Sequence, residues 1–508
     1  MSGALLTRRT AHGATALGGG PRRRPTPYLV FGGLFWLVMS LAFWRVPMCC
    51  DFGQHAAVVE RLKENLLHPA HPMADLPGRG SAYYSPYAVA QGLFARVTGL
   101  AGWEVVKLSG PLNLLVLLTG IGRFVRVLTP RPWAPVLALG AMVLLWGTRM
   151  AWWSGYLGLM SMTGNLGYPS TFAIGLAFWA WAWAGTLVRD GGHGRWAYAG
   201  LGALCGLILL VHPISSVAAV IGVVAFAASG RRVRPWAATA LTAAAIAALW
   251  PYYSVFSLVG DQSVDWIHRQ LYTGMPQRFW LALLGLPALW LRFRRDRRDP
   301  LVLMFALECA VVAYGWVSGH YTYGRILGLT LVPPQFALAV ELAAPRPWGW
   351  RRGAVAGAAA LGACVGFFQL QAGAVVPRAL DPVGFDQPPR WPGYAWAVDH
   401  MRRGDVVLTN GYRPTRSVPG YGANLVAPAW PDPSLDEGVR NRRLAAVRAY
   451  LAPTSTPAER TAIVRRYDVR WLLLAPDQRV PPEAVVVDWS RHTGEVLARV
   501  SGAAQRRT

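Results

Sequence analysis

Long apolar segments, joined by loops that are alternately rich in arginine and nearly neutral, constrain the fold of this chain more than any other feature. About eleven segments have close to the length that crosses a hydrocarbon core of about 30 Å. They lie at roughly 28–47, 105–122, 133–148, 169–188, 197–212, 214–229, 236–253, 279–292, 301–318, 326–343 and 354–372. We therefore predict an α-helical polytopic membrane protein with about eleven transmembrane helices.

The arginines indicate how these helices are oriented. They cluster in every second loop, at residues 123–131, 189–195, 231–234, 292–298 and 346–352. Cytoplasmic loops carry an excess of Lys and Arg, so we predict that these loops and the N-terminus lie inside and that the C-terminus lies outside. A long first outer loop, residues 48–103, is then extracytoplasmic as well.

The overall charge does not indicate a nucleic-acid-binding protein, although the net charge is +25. The basic residues lie in short runs between apolar segments rather than on one basic domain. Only 15% of residues are charged, against about 25% in soluble domains. The predominance of arginine over lysine is typical of a high-GC bacterial genome. We predict a protein of the bacterial inner membrane whose environment is the lipid bilayer.

Four regions follow from this pattern. Residues 1–27 are basic and rich in glycine, which predicts a disordered cytoplasmic tail. Residues 28–372 form the predicted membrane domain. The Pro- and Gly-containing stretch 373–392 is a predicted linker, and residues 393–508 are a predicted small extracytoplasmic α/β domain, here called the C-terminal domain.

Strands alternate with helices in the C-terminal domain. Apolar strands are predicted at 405–409 and 470–475, and helices at 435–451 and 457–467. Thr456, followed three residues later by a glutamate, forms a capping box for the second helix.

Asp51 is the most informative residue of the first outer loop. It follows the first apolar segment directly and precedes a helix predicted from about Phe52 to Leu67. His55 lies four residues further on, so the two side chains share one helix face. An aspartate at this position is often an N-cap, and spacing alone leaves both a capping and a catalytic role open.

Cations on the predicted outer face are candidates for binding a phosphate. Arg325 directly precedes a predicted helix, and a guanidinium binds phosphate in a bidentate manner. An interfacial arginine that extends towards the aqueous phase is the alternative. His320 and Arg149 are weaker candidates on the same face.

Three further residues carry open alternatives. His212 precedes Pro213 and is either a functional ionisable group in a membrane helix or a helix cap. Asp261 and Asp265 are four residues apart and could share a helix face, where they would supply a second acid or a metal ligand. They could equally belong to a solvated loop. A divalent metal is therefore left open.

The sequence from Asp51 to Leu62 reads D-F-x-x-H-x-x-x-x-x-x-L and is similar to the early outer loop of GT-C superfamily membrane glycosyltransferases. Many helices, a long first outer loop and an exported C-terminal domain are also typical of bacterial members. The resemblance implies an inverting glycosyltransferase that moves a sugar from a polyprenyl-phosphate donor to an extracytoplasmic glycan, lipid or protein acceptor. It also implies that Asp51 is the general base. The paired acids of many members are absent, since Asp51 stands alone.

Two other functions stay open. A transporter or a flippase for lipid-linked glycans would suit the number of helices and a break at His212-Pro213, with Glu308 as a proton site. A non-catalytic cell-envelope assembly protein would use its C-terminal domain as an interaction module.

Overall fold

The computed structural model describes residues 25–76, 80–191, 193–230, 234–258, 260–345, 347, 349–433 and 435–501. The predicted tail 1–27 lies almost entirely outside the described residues. Among the arginines of the predicted cytoplasmic loops, Arg231, Arg232 and Arg346 also lie outside them.

Six helices in the described part of the chain are long and apolar enough to cross a membrane. They are Pro27–Arg45, Gly102–Leu128, Pro169–Asp190, Pro300–Ser318, Tyr321–Ala343 and Trp350–Val375. The last contains a turn of π-helix, and the fifth begins with a 3₁₀ turn, Tyr321–Ile326. Large apolar side chains such as Leu29 and Leu34 are exposed on the first helix, as expected for residues that face lipid. The chain is a membrane protein.

Shorter apolar helices occupy the remaining predicted spans. Four of them are Ala134–Leu144, Arg195–Val211, Pro213–Ser229 and Trp236–Ala248. The span predicted at 279–292 is divided between the 3₁₀ helix Trp280–Gly285 and the helix Leu286–Arg295. The number of crossings and their orientation therefore stay predictions.

Aromatic packing joins the helices of the bundle. The ring of Phe124 lies 5.9 Å from that of Phe178, 5.4 Å from Trp181, 6.1 Å from Phe226 and 5.8 Å from Phe336. These five residues come from four helices, and all are buried. Because such rings bury a large apolar area and interlock in tilted or edge-on pairs, this cluster fixes the helices against one another.

Short helices fill the loops on the side of the bundle that carries the C-terminal domain. They are Phe52–Glu64, Pro86–Thr98, Leu159–Asn165, Val255–Leu258, Asp265–His268, Arg269–Tyr272 and Met275–Phe279. The helix predicted from Phe52 to Leu67 thus ends three residues early. Asp261 precedes the helix that begins at Asp265, so the prediction that these two acids share a helix face is wrong.

A five-stranded mixed sheet forms the centre of the C-terminal domain. Its strands are β1 (Val406–Leu408), β2 (Asn424–Leu425), β3 (Val469–Leu474), β4 (Ala484–Trp489) and β5 (Val496–Val500), in the order β2-β1-β3-β5-β4. β1 is parallel to β2 and β3, whereas β3, β5 and β4 pair antiparallel. The predicted α/β character of the domain is therefore confirmed.

Helices cover the two faces of this sheet. On one face the helix Glu437–Leu451 packs through Val447 and Tyr450, and the helix Pro457–Tyr467 packs through Ile463 and Val464. The other face holds Tyr394 and the short helix Ala395–Val398. Further short helical turns are Arg378–Leu380, Pro414–Ser417 and Val418–Tyr421.

The first outer loop extends the sheet of the C-terminal domain. The backbone N–H of Leu425 in β2 donates to the Met73 carbonyl at 2.7 Å, and Ala74 forms an isolated parallel bridge with the same residue. A backbone hydrogen bond between a loop and a strand edge fixes their register. The first outer loop and the C-terminal domain therefore form one continuous layer.

Buried polar contacts reinforce that joint. The Arg61 guanidinium donates to the Asn424 side-chain oxygen at 2.7 Å, and Arg403 pairs with Glu60 at 2.9 Å. Asp432, wholly buried, accepts a hydrogen bond from the Ser81 hydroxyl. Most buried polar groups are hydrogen-bonded, and these contacts therefore help to specify how the two parts meet.

Candidate functional site

A cavity of about 330 Å³ lies where the bundle, the first outer loop and the C-terminal domain meet. Asp51 lines it from the first outer loop and Arg325 from the bundle. Tyr412 and Trp430 line it from the C-terminal domain. The cavity therefore brings one carboxylate and one guanidinium together from distant parts of the chain.

Asp51 occupies the N-cap position of the helix Phe52–Glu64, but its carboxylate makes no capping hydrogen bond. Instead, the indole Nε1 of Trp430 donates to Asp51 Oδ1 at 2.6 Å. The backbone N–H of Asp51 donates to the Tyr168 hydroxyl at 3.0 Å. The preceding Cys50 has a φ of 63°, a left-handed conformation that is uncommon for a residue with a side chain. The chain thus turns sharply just before Asp51. The second carboxylate oxygen, Oδ2, makes no capping hydrogen bond to the helix.

The charge of Asp51 is set by two opposing effects. Asp51 lies deep below the surrounding surface, and this burial raises the pKa of its carboxyl. The hydrogen bond from Trp430 and the positive charges of Arg416 and Arg325 act in the opposite direction. About 37% of the side chain remains exposed towards the cavity, so the carboxylate is both recessed and accessible. Such competing influences are common at sites of proton transfer.

Arg416 connects Asp51 to the C-terminal domain. Its guanidinium carbon lies 3.8 Å from the centre of the Tyr412 ring and 4.4 Å from that of Trp430, so the cation is held between two aromatic faces. Its Nη1 donates to the Tyr412 carbonyl at 2.8 Å, and its Nε lies 3.9 Å from Asp51 Oδ1. A buried cation stacked in this manner has little freedom to move, which makes it a fixed positive charge beside the carboxylate.

Arg325 is the cation on the bundle side of the cavity. Its Nη2 donates to the Ser154 hydroxyl, and Nε has no hydrogen-bond partner among the described residues. Leaving a buried donor of a charged group unpaired is costly. The unpaired Nε leaves Arg325, which lines the cavity, with a donor that a ligand could use.

Aromatic side chains make up much of the remaining wall. Tyr83, Trp152, Trp153 and Tyr168 line the cavity together with the two rings of the C-terminal domain. Burial is the main cause that raises the pKa of Tyr83 above its usual value. This phenol is consequently neutral and offers a hydroxyl group and an apolar face rather than a charge.

His55 lies behind this wall and does not line the cavity. Its ring meets those of Tyr83 and Tyr168 edge-on, at 6.0 and 5.2 Å between centroids. Burial lowers the pKa of His55 to about 4. A neutral imidazole in that place supports the two tyrosines, so the structure gives His55 a packing role.

Asp265 and His320 pair with each other away from the cavity wall. Asp265 Oδ1 accepts hydrogen bonds from the backbone N–H and the hydroxyl of Thr322, at 2.7 and 2.6 Å. Its Oδ2 lies 3.6 Å from His320 Nδ1. Asp261 accepts from the backbone and hydroxyl of Ser263, both at 3.0 Å. Asp261 therefore orders its own loop, whereas Asp265 ties that loop to the segment that begins at His320.

Arg149 and His212 are also placed outside the cavity wall. The Arg149 guanidinium lies against Gly274, and its backbone N–H donates to the Gln277 carbonyl at 3.1 Å. His212 Nδ1 accepts from the backbone N–H of Ser215 at 3.1 Å and caps the helix Pro213–Ser229. Of the two alternatives for His212, the structure has the helix cap.

The cavity does not fit a metal ion. Within the described ranges, no group of three or more His, Cys, Asp or Glu side chains is arranged to hold one. Asp51 is the one carboxylate of the described residues that lines the cavity, and Oδ1 is already occupied by Trp430. The positive charges near Asp51 are instead those of Arg416 and Arg325.

Sequence reasoning missed three residues of this site: Arg416, Trp430 and His268. The last lines the cavity from the short helix Asp265–His268. No local spacing marks Arg416 or Trp430, because their roles arise from contacts with Asp51 across almost the whole chain. The sequence signal for His268 is its place three residues after Asp265 in a loop with two acids.

Solved structures of membrane glycosyltransferases are similar to this chain. Arabinofuranosyltransferase AftD from Mycobacteria is 17% identical with a TM-score of 0.54, over 93% of this chain and 40% of the AftD chain. ArnT from Cupriavidus metallidurans is 14% identical with a TM-score of 0.54, over 94% of this chain and 99% of the ArnT chain. The Archaeoglobus fulgidus oligosaccharyltransferase is 12% identical with a TM-score of 0.52, over 89% and 69% of the two chains.

These likenesses show the fold. The chain has the GT-C fold of membrane glycosyltransferases, and it spans less than half the length of AftD but nearly all of ArnT. No protein-family model and no curated protein sequence matches it.

Proposed function

We propose that this protein is a glycosyltransferase that moves a sugar from a polyprenyl-phosphate donor to the hydroxyl group of an extracytoplasmic acceptor. The observation that carries the proposal is the placement of Asp51 and Arg325 in one cavity. One can accept a proton and the other can hold a phosphate. A GT-C fold supports this reading of the pair.

Proton transfer is the role proposed for Asp51. The acceptor hydroxyl gives its proton to Asp51 Oδ2, because Oδ1 is engaged by Trp430. The acceptor oxygen then forms a bond to the anomeric carbon while the bond from that carbon to the phosphate oxygen breaks. Attack from the face opposite the leaving group inverts the anomeric configuration. A general base in such a position contributes roughly 10²- to 10⁴-fold in rate.

Charge stabilisation is the role proposed for Arg325. The polyprenyl phosphate departs with additional negative charge on its oxygens, and fixed donors aimed at developing charge lower the barrier. The unpaired Nε of Arg325 is available for a phosphate oxygen, while Ser154 holds the Nη2 end in place. This arrangement orients the guanidinium before the donor arrives.

A second, apolar groove supports a lipid-linked donor. It has a volume of about 620 Å³ and is lined by side chains that include Tyr272, Phe279, Trp316 and Leu327. Leu327 follows Arg325 by two residues, so the groove lies beside the segment that presents the guanidinium. A polyprenyl chain in this groove would bring its phosphate close to Arg325.

The acceptor is proposed to be a glycan, a lipid or a protein that reaches the cavity from the outer side. The aromatic lining supports a carbohydrate, because sugar rings present apolar C–H faces to aromatic side chains. The alternation of arginine-rich loops supports an extracytoplasmic location for the cavity. It also supports the inner membrane of a bacterial cell as the site of action.

The test uses the full-length protein reconstituted in vesicles with polyprenyl-phosphate sugars and glycan acceptors. The Asp51→Asn variant keeps an oxygen for the Trp430 hydrogen bond but cannot take a proton, so we expect at least a 100-fold loss of transfer, as for removal of a general base. Asp261→Asn, outside the cavity, is the matched control and should retain activity. Transfer by Asp51→Asn at the wild-type rate would eliminate Asp51 as the base.

One observation favours a transporter or flippase. Glu308 is fully buried in the helix Pro300–Ser318, and neither of its carboxyl oxygens has a hydrogen-bond partner among the described residues. A buried acid in a membrane helix is a candidate proton site. Lipid flipping or proton-coupled uptake that is lost in Glu308→Gln and retained in Asp51→Asn would favour transport over sugar transfer.

A further inference from the structure

His268 is a buried side chain in the cavity wall that the proposed reaction does not use. It is 4% exposed and lines the cavity beside Trp153, whose ring meets the imidazole edge-on at 5.6 Å. The next residue, Ser154, binds Arg325. His268 and the phosphate-binding candidate are therefore held against consecutive residues of one loop.

A chain of hydrogen bonds fixes the tautomer of His268. The Thr322 hydroxyl lies 2.6 Å from Asp265 Oδ1 and 2.8 Å from His268 Nδ1. Its single proton goes to the carboxylate, which can only accept, so the hydroxyl oxygen accepts from Nδ1–H of the imidazole. Nε2 of His268 consequently carries a lone pair and no proton.

The imidazole is also neutral. Burial, followed by the positive charge of Arg325, lowers the pKa of His268 to about 3. At neutral pH the ring therefore presents one acceptor, Nε2, in addition to the Nδ1–H that Thr322 holds. Because His268 lines the cavity, a ligand hydroxyl group there can donate to this lone pair, and such a hydrogen bond adds affinity.

We propose that Nε2 of His268 accepts a hydrogen bond from a hydroxyl group of the donor sugar and thereby selects among lipid-linked sugars. Asp265 and Thr322 are positioning residues that hold the imidazole in its acceptor form. The inference rests on the proposed function, because it takes Arg325 as the phosphate ligand. Placement of His268 next to Arg325, on the bundle side of the cavity, assigns it to the donor rather than to the acceptor.

Binding measurements can separate the sugar from the phosphate. The probes are farnesyl phosphate and a set of farnesyl-phosphoryl pentoses and hexoses, titrated into the full-length protein in detergent. We expect the wild type to bind at least one sugar-bearing probe more tightly than farnesyl phosphate. His268→Leu should lose about tenfold in affinity for that probe, as for a lost buried hydrogen bond, and change little for farnesyl phosphate. Arg325→Gln should weaken both.

Two further variants test the lone pair itself. His268→Gln restores an acceptor oxygen and should recover part of the sugar preference. Thr322→Val removes the hydroxyl that holds His268 Nδ1–H, at a position that does not line the cavity. It should therefore reduce the preference for the sugar-bearing probe over farnesyl phosphate. His400→Leu, a histidine of the C-terminal domain paired with Asp488 on the surface, is the matched control and should behave as wild type.

The possible failures are distinguishable. Sugar-bearing and bare probes that lose affinity equally in His268→Leu, or that keep the wild-type preference, would overturn the role of His268 and leave the proposed function intact. A wild-type protein that binds neither kind of probe would overturn the proposed function together with this inference.

Discussion

The hydrogen bond from Trp430 to Asp51 offers the sharpest test of how the cavity is built. Trp430→Phe removes the indole donor, which lies 2.6 Å from Asp51 Oδ1, and keeps an aromatic ring next to Arg416. A hydrogen bond to a charged group is worth about 1.5–3 kcal/mol. The substitution therefore withdraws one defined interaction from the carboxylate and leaves the surrounding packing largely in place.

Two consequences follow for sugar transfer. The hydrogen bond from the Trp430 indole lowers the pKa of Asp51, whereas burial raises it. Removing the indole N–H therefore raises the pKa of the carboxyl. The base then becomes protonated at a higher pH, and the acidic limb of the kcat/KM profile moves upwards. If the hydrogen bond also orients the base in the transition state, losing about 1.5–3 kcal/mol lowers kcat/KM by roughly 10- to 160-fold.

The assay is the pH dependence of kcat/KM for reconstituted protein with a polyprenyl-phosphate sugar. Trp489→Phe is the control, since this tryptophan is 56% exposed on β4 and does not line the cavity. In an Asp51→Asn background, Trp430→Phe should add little, because both changes act through one group. An unmoved acidic limb together with kcat/KM within twofold of the wild type would refute the reasoning.

Further predictions concern the supports of the site. Ser154→Ala removes the hydroxyl that holds Arg325 and should raise KM for the donor several-fold with little change in melting temperature. Asp432→Ala deletes a buried acceptor shared with the first outer loop, and we expect about 2–3 kcal/mol lower stability and faster proteolysis of the C-terminal domain. Gly53→Ala would place a methyl group 2.1 Å from the Arg416 carbonyl, so it should separate the two segments and abolish activity.

One glycine variant serves as a control, and each prediction has an outcome that would contradict it. Gly393→Ala meets no neighbouring atom and should be silent, whereas a fully active Gly53→Ala would contradict the close approach. An unchanged KM in Ser154→Ala would mean that Arg325 needs no support from this hydroxyl. Proteolysis of Asp432→Ala at the wild-type rate would show that the joint is held elsewhere.

Local patterns predicted several elements of the C-terminal domain. The helix predicted at 457–467 is Pro457–Tyr467, and the capping box of Thr456 is present. The strand predicted at 470–475 is β3, one residue earlier. These elements follow from interactions within a few residues, namely a cap, a proline at the first helical position and a continuous apolar run. The hairpin of β4 and β5 was not predicted, since the valines of β4 show no alternation.

The site could be predicted only where its signal is local. Asp51 is recognisable because it follows the first apolar segment and opens a helix. Its partner Trp430 lies 379 residues away, and no spacing in the sequence relates them. The error at Asp261 has a similar origin, because Asp261 binds Ser263 in a turn and Asp265 binds Thr322 of a distant segment, and neither contact follows helix periodicity. The partner of Asp51 and the conformation of the Asp261 loop both depend on contacts between residues that are far apart in the sequence.

The division of the cavity between two parts of the chain has a mechanistic consequence under the proposed function. Arg325 is held by Ser154 of the bundle, whereas Asp51 is held by Trp430 and Arg416 of the C-terminal domain. The donor half is therefore complete within the bundle, but the base is oriented only when the domain is docked. Since docking rests on buried polar contacts with the first outer loop, a displacement of the domain would release the base while the donor remained bound. Sugar transfer should then depend on the docked domain more strongly than donor binding does.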